Sequence, residues 1–579
     1  MILTEENWSS ASRQEEASPL LETTAHRWAL GARAAALWGL AVLGFLLLCF
    51  RPLDPTGLWA HLSYGDWILA HRALPVADPI LPLAEGMPIL DASWLSQAIL
   101  AAVERAGDGV AKGAGVGWLA ALFALLRLTT AAVLLGVFRR VTGGWLWSAL
   151  GLALVLALVG GAGGPWAVLG PATFGALCMA VLLRKVVSIE AGEGGRPVRR
   201  AGGELWAAAG WAALFALWAN LHVSFALGLA VLALGALGRL LEVLFRGERR
   251  EGVWRSLVMD RPFRRWLLLA ELAAAATLIN PHGIELWLYA LRLRSNPNLA
   301  SLPGWRPLSV EMAGGWVFGL MIAALLWAFR RDPSRRRPVS TAQALWLIGF
   351  GGAALAASGL LAPCAPLFAV IALPHVAGLL GDGLSSLRGS RGKPGLLGRA
   401  AAGLRERLGF LAEPSWHKSV LALALLWAAF ALSPVGASLL RGEARAPERT
   451  VAASAPLALG AYLTAHPPAG LTFVPMPWAD WLAREGPKGR ERLRPFANTG
   501  VEVLPAEVWQ DYLRVAGGSA DWQRVLDRYG VRSAIFDREA QHGQIQSLRY
   551  ADDWRLAYED DRAFVFERTT PAGTTGGKP

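Results

Sequence analysis

Charge is scarce in this chain. Asp, Glu, Lys and Arg make up 17% of it, where soluble globular chains carry roughly 25%. That shortage excludes an ordinary soluble enzyme. Cysteine is scarcer still. Cys49, Cys178 and Cys364 all lie inside apolar runs, which excludes a disulfide framework and a thiolate zinc site. No phosphate-cradling loop is present, because "GGAGGP" from Gly160 lacks a following Lys-Ser/Thr and reads as a turn. There is no repeat of fixed period and no heptad array, which excludes solenoids and coiled coils. The N-terminal stretch "MILTEENWSSASRQEEASPLLETTAHR" is acidic and polar and lacks a cleavable signal pattern, so the apolar run that follows is expected to act as an uncleaved anchor.

Apolar residues, in contrast, make up 54% of the chain, and they arrive in blocks of about 17 to 22, the length that crosses a bilayer. The blocks fall near 32–50, 118–138, 145–160, 166–183, 205–219, 222–238, 266–280, 314–329, 341–360, 364–381 and 418–438. The expected fold class is therefore mainly α: a polytopic membrane helix bundle of about eleven spans, followed by a C-terminal extracytoplasmic α/β domain. The net charge of +12 does not point to nucleic acid, because the Arg residues sit between apolar blocks, where they orient a membrane protein. Arg-rich turns start at Arg139, Arg184, Arg246, Arg330 and Arg388. They alternate with turns of Gly, Pro, Asn and His at Gly160, Asn220, Asn280 and Ala362. The positive-inside rule puts the first set in the cytoplasm and the second outside. It predicts a polar cytoplasmic tail over 1–31, a polytopic region over 32–440 in the inner (plasma) membrane, and an outer loop over 51–117. The α/β domain over 441–569 follows on the outside, and then a disordered tail over 570–579. In the α/β domain "SADWQRVLDRYG" reads as a helix through Trp522, Val525, Leu526 and Tyr529, "VRSAIFD" as a buried strand, and "WRLAYEDDRAFVFER" as a hairpin.

The outer loop carries the chemistry-bearing residues. In "DPTGLWAHLSYGDWILAHRALPVADP" Asp54-Pro55 reads as a helix start. The helix is expected to run to His71 and to lie along the membrane surface on a stripe of Leu58, Trp59, Leu62 and Leu69. The Pro-rich "ALPVADPILPLAEGMPIL" reads as irregular loop. Asp91 then reads as the cap of a second amphipathic helix through Trp94, Leu95, Ile99 and Val103. Asp54, Asp78 and Asp91 are each equally readable as caps or turn residues, and His61 as a headgroup-level residue. Asn220, His222, Asn280 and His282 lie in turns assigned to the same outer face. Arg127 stands inside an apolar run, where a charge costs about 2.5–3.5 kcal/mol on insertion scales, so it should face protein or a wet cavity.

These segments, with "DASWLSQAIL", "WANLHVSFALGLAVL", "LINPHGIELWLYALRL" and "WADWLAREG…EVWQDYLRV…DWQRVLDRYGV…YEDDRAFVFER", resemble uncharacterised bacterial multi-pass proteins related to the GT-C glycosyltransferases, such as protein mannosyltransferases and oligosaccharyltransferases. The resemblance runs from about residue 30 to 570. It departs from that group's pattern at Ala92-Ser93, Gly170-Pro171-Ala172, "APCAPLF" and Asn498-Thr499-Gly500. It implies sugar transfer from a polyprenyl-phosphate donor to a glycan or protein acceptor on the extracytoplasmic face, with an outer-loop Asp as base. Asp54 is the first candidate, being nearest the first span; Asp78, Asp91 and His61 complete the catalytic set. Trp59, Trp94, Arg127, Asn220, His222, Asn280 and His282 are the substrate-binding candidates, and membrane lipid is an expected partner. A divalent cation, Mg or Mn, would fit Asp oxygens. The alternatives from other classes are a transporter or flippase for a lipid-linked or polar solute, which would show internal repeats, and a non-catalytic membrane scaffold.

Overall fold

The computed structural model describes residues 31–160, 168–190, 201–245, 253–331, 339–388 and 415–569. The expected N-terminal and C-terminal tails, and much of the Arg-rich turns, lie outside these residues. The chain is mostly helical, and every apolar run forms a helix. The helices used below are α1 (Ala32–Cys49), α2 (Leu58–His71), α3 (Trp94–Val110), α4 (Gly115–Thr142), α5 (Trp145–Leu158), α6 (Pro171–Glu190), α7 (Ala201–Leu221), α8 (Phe225–Phe245), α9 (Arg261–Thr277) and α10 (Glu285–Arg292). They continue with α11 (Ala313–Arg331), α12 (Thr341–Ala356), α13 (Leu361–Arg388), α14 (Trp416–Leu432) and α15 (Pro434–Arg441).

Five of the described helices are long and apolar enough to cross a membrane, or six if α14 and α15, bent by 76° at their junction, count as one. The bend has a local cause. Ser433 ends α14, and its hydroxyl accepts from the Gly436 N–H at 3.1 Å to start α15, with Pro434 in the first turn. Four further apolar helices, α1, α5, α7 and α12, have shorter apolar stretches of 10–17 residues. Large apolar side chains such as Leu43, Leu47, Leu146, Ile348, Leu423 and Trp427 project outward from these helices. An outward apolar surface on helices whose backbone groups are satisfied internally is what a bilayer requires.

The two ends of the bundle differ. At one end α6, α8 and α12 meet through polar contacts: the Ser340 hydroxyl donates to Glu190 at 3.1 Å, Gln343 donates to Glu190 at 2.8 Å, and the Thr341 N–H donates to Glu242 at 3.2 Å. In sequence, Arg-rich turns follow α6 and α8 and precede α12. The start of α6, the α7–α8 turn and the segment after α9 gather at the other end, against the C-terminal domain.

That domain holds β1 (Leu471–Phe473), α16 (Met476–Glu485), β2 (Arg494–Pro495), α17 (Ala506–Gly517), α18 (Trp522–Arg528), β3 (Ser533–Asp537), α19 (His542–Arg549), β4 (Trp554–Glu559) and β5 (Ala563–Arg568). The sheet order is β2-β1-β3-β5-β4, with β1 parallel to both neighbours and β5 antiparallel to β3 and β4. The expected helix at Trp522, the buried strand and the terminal hairpin are all present. Phe473, Phe496, Phe536 and Phe566 are fully buried at the centre of the domain, and Leu81 and Ala84 from the early loop join the same core.

Four expectations about that loop are overturned. The first helix starts at Leu58, not Asp54, because the Asp54 carboxylate turns back on its own chain and Gly57 takes φ +70° as the cap. The second starts at Trp94, three residues after Asp91, with Ser93 at its N-cap position. The segment between them is not wholly irregular: Ala77 and Pro88 form an antiparallel bridge around a short 3-10 turn at Pro82–Ala84. The α2 stripe also meets protein instead of the membrane surface. Leu58, Trp59 and Leu62 are buried in the main core, and α2 packs against α3 and α16. Its approach to α3 is backbone to backbone at Gly65, where a Cβ would stand 2.2 Å from the Gln97 carbonyl oxygen. Only glycine fits there.

Candidate functional site

A cavity of about 610 Å³ lies where α2, the start of α3, the start of α6, the α7–α8 turn, α10 and the 499–503 segment converge. Three of the sequence candidates line it: His61 from α2, Asp91 before α3, and His222 from the α7–α8 turn.

Asp91 is 94% buried. Its Oδ1 accepts from the Ser93 N–H at 3.0 Å and from the Gln97 side-chain amide at 3.1 Å. Its Oδ2 is buried without a hydrogen-bond partner. Burial pushes the Asp91 carboxyl up to about 6, since removing water disfavours the charged form. The result is a carboxyl group held rigidly by one oxygen, with the other free to take a proton.

The Gln97 amide nitrogen also reaches His61 Nδ1, at 3.3 Å. An amide nitrogen that donates to a carboxylate presents hydrogens here, so Nδ1 accepts and the His61 proton sits on Nε2. His222 is fixed the same way. Its Nδ1 accepts from the Ser224 N–H at 3.2 Å and lies 2.8 Å from the Ser224 hydroxyl, which in turn accepts from Trp218 Nε1 at 3.0 Å. Burial pushes both imidazoles down to about 4. At neutral pH both are uncharged rings with a single donor, Nε2–H.

The other candidates occupy a supporting ring or lie elsewhere. Asp78 is buried behind Tyr64, whose hydroxyl donates to it, and its other oxygen accepts from the Ile80 and Leu81 N–H groups at 2.7 and 2.8 Å. His282 Nε2 lies 3.3 Å from the Asp91 carbonyl oxygen and so fixes the Asp91 backbone. Asn280 shapes the turn that holds His282, accepting from its N–H at 2.7 Å. Trp94 Nε1 donates to Asn220 Oδ1 at 2.9 Å, and the Asn220 amide donates to Ala216 and Ile279 carbonyls at 2.7 and 2.8 Å. Asn220 thus ties α3, α7 and the segment after α9 together. Asp54 is not among the cavity-lining residues; its Oδ1 accepts from the Thr56 N–H and hydroxyl at 2.9 and 2.5 Å. Trp59 is fully buried in the core. Arg127 lies within α4 with its guanidinium 4.9 Å from the Phe123 ring centroid.

Tyr64, Gln97, Tyr289, Trp305, Thr499 and Glu502 also line the cavity and were not singled out from sequence as ligand-contacting groups. Tyr64 lay within the quoted "LSYGDW", Gln97 within "WLSQAIL" and Tyr289 within "LINPHGIELWLYALRL", and Thr499 was named among the departures. Burial raises the Glu502 carboxyl, with Asp78 and Asp480 adding to the rise. Behind Thr499, Asp480 is pushed up to about 6 by burial and accepts from the Thr499 hydroxyl at 2.5 Å. Gly170, Pro171, Ala172, Thr499 and Gly500, singled out earlier as departures from a sequence pattern, all line the cavity as well.

On the opposite face of α2, Arg484 of α16 is clamped between Asp66 and Glu104, and Arg105 Nε donates to Asp66 at 2.8 Å. This network joins the domain to α2 and α3. Among the described residues, no three His, Cys, Asp or Glu side chains are arranged to hold a metal ion.

Comparison with solved structures identifies the architecture. The Archaeoglobus fulgidus oligosaccharyltransferase AglB, in complex with an inhibitory peptide and a dolichol-phosphate, superposes with a TM-score of 0.52 at 12% identity, over 87% of this chain and 69% of that one. The fold is GT-C-like. Weaker similarities, on which nothing below rests, are to the apo form of the same archaeal enzyme (TM-score 0.49, 14% identity, 87% of this chain and 69% of that one) and to the mycobacterial arabinofuranosyltransferase AftD (TM-score 0.44, 17% identity, 94% and 40%). No protein-family model matches the GT-C-like chain, and no curated protein matches it. The GT-C-like architecture and the apolar helices together make this a membrane protein.

Proposed function

We propose that this chain is a membrane glycosyltransferase that moves a sugar from a polyprenyl-phosphate donor to an acceptor at the cavity beside Asp91. The observation that carries the reading is Asp91 itself, a cavity-lining residue whose buried carboxyl group has one oxygen clamped and the other without a hydrogen-bond partner. A general base has to reach the proton it removes and to titrate near the working pH. In this reading the acceptor hydroxyl gives its proton to Asp91 Oδ2, its oxygen bonds to the anomeric carbon, and the bond from that carbon to the phosphate oxygen breaks with its electron pair leaving on the phosphate. His61 and His222 donate from Nε2–H toward the oxygen that gains charge. Asp91 takes the place of Asp54 as the base because Asp91 lines the cavity and Asp54 does not. The same proposal keeps eleven spans, a cytoplasmic N-terminus, a plasma-membrane location and an extracytoplasmic cavity. The alternation of Arg-rich and Arg-poor helix ends supports it. A dolichol-phosphate held by the archaeal structural neighbour supports a lipid-linked donor.

The test is transfer by the purified full chain from radiolabelled polyprenyl-phosphate sugars, comparing native protein with Asp91→Asn and Asp54→Asn. Loss of a general base is expected to lower kcat by about 10²–10⁴-fold in the first variant, with the second within a few-fold of native. Equal turnover in Asp91→Asn removes Asp91 as the base. Absence of transfer with every donor returns the chain to the transporter or scaffold readings.

A further inference from the structure

The charge on the cavity wall is one-sided. Among the described residues, none of those lining the cavity is Lys or Arg, although the chain contains 56 of them. The described residues of the Arg-rich turns are not among those lining it. The helices α6 and α8 start at or beside the cavity, at Pro171 and Phe225, and carry the chain to Glu190 and Phe245 before those turns begin, a distance of about 30 Å for twenty helical residues. The charge-bearing groups on the wall are the carboxyls of Asp91 and Glu502. The donors that complement them are the neutral imidazoles of His61 and His222. Tyr289 and Trp305 add flat aromatic faces. No strand contributes to the wall, so there is no sheet edge on which a peptide backbone could add.

We infer that this cavity holds an uncharged saccharide and rejects anionic ones; that the saccharide is the acceptor rests on the transferase reading, whereas the ligand class rests on the walls alone. A sugar hydroxyl both donates and accepts. It can donate to the acidic residues Asp91 and Glu502 that line the wall and accept from an imidazole Nε2–H, so the wall matches it on both counts. Apolar ring faces of a sugar suit the Tyr289 and Trp305 surfaces. A sugar bearing its own carboxylate places a like charge beside Asp91 and Glu502 with no cation to offset it.

The experiment is binding of two matched probes, hexyl glucoside and hexyl glucuronide, to the full chain in lipid nanodiscs, followed by saturation-transfer NMR titration without any donor. The glucoside is expected to saturate the protein and the glucuronide to bind at least tenfold more weakly. The double variant Asp91→Asn/Glu502→Gln should narrow that gap to within threefold, because the two acids cause it, and a melting temperature equal to or above native certifies its fold. Equal or tighter binding of the glucuronide to native protein overturns the inference. So does a gap unchanged in the double variant, or saturation by a neutral acetyl-tripeptide amide that the glucoside fails to displace. Failure of this inference and failure of the transferase reading are separable. Sugar transfer onto uronates or peptides alone would keep the transferase and remove the ligand class, while selective glucoside binding without transfer from any donor would do the reverse.

Discussion

Replacing Asp91 by Asn tests the central geometry through stability as well as activity. The Asp91 carboxyl moves from 3.8 to about 6 on folding because it is buried. A raised acid binds its proton more tightly in the folded chain, so the native protein is relatively most stable below the unfolded value. It loses that advantage as pH rises through about 6. The full loss corresponds to about 3 kcal/mol at one pKa step per 1.36 kcal/mol. Asn keeps the oxygen that accepts from Ser93 and Gln97 and carries no charge. It does place an NH2 where Oδ2 had no partner, an unsatisfied donor that costs about 1–3 kcal/mol at every pH. The difference between variant and native should therefore shift in favour of the variant by up to about 3 kcal/mol between pH 4 and pH 8. Taking the difference cancels other raised acids such as Asp480 and Glu104. Melting temperatures of both proteins in one detergent across that range measure it. A difference that is flat with pH, or that moves the other way, would refute the buried, partnerless carboxyl. In the transfer assay the native kcat should climb about tenfold per pH unit below 6 and level off above it, because the base acts deprotonated.

Gly65→Ala should destabilise by about 1–3 kcal/mol and lower kcat more than it changes KM. A Cβ 2.2 Å from the Gln97 carbonyl oxygen must push α3 away and loosen the Gln97 hold on Asp91; wild-type kcat in this variant would contradict that coupling. Arg484→Ala strips the partner from Glu104, which burial already pushes up to about 7. The loss, about 3–5 kcal/mol for a buried pair, should be smaller at pH 6 than at pH 8, because Glu104 can then take a proton. Asn220→Ala removes three hydrogen bonds, two of which join α7 to α3 and to the segment after α9. A cost of about 2–3 kcal/mol, read by chemical denaturation in micelles, is the expected outcome.

The sequence made the bundle legible because a bilayer imposes a length and a polarity that few other environments share. Each apolar run became a helix at nearly the expected place, and the terminal hairpin followed from its alternation around "EDD". The site was legible only in outline. His61, Asp91 and His222 could be drawn as candidates from their turns, and the structure brings them to one cavity. Their ranking could not be read, because Asp54 and Asp91 look alike as acids near a helix start. What separates them is burial and a place on the cavity wall, which depend on His282 and Glu502 arriving from distant parts of the chain. Trp59 illustrates the same limit. An aromatic on an amphipathic stripe reads as a ligand platform or a core residue with equal ease, and here it is fully buried.

The loop residues Leu81 and Ala84, which sit in the core of the C-terminal domain, also set an order on biosynthesis. Leu81 leaves the ribosome 392 residues ahead of Phe473, its neighbour in that core. At ordinary elongation rates the gap lasts about 20–80 s. Through that interval two helices and a Pro-rich loop have no sheet to close over them. The cavity wall therefore cannot be complete until the 499–503 segment is made, and a nascent chain stalled before it would present its unfinished first loop to whatever chaperone or protease is nearby.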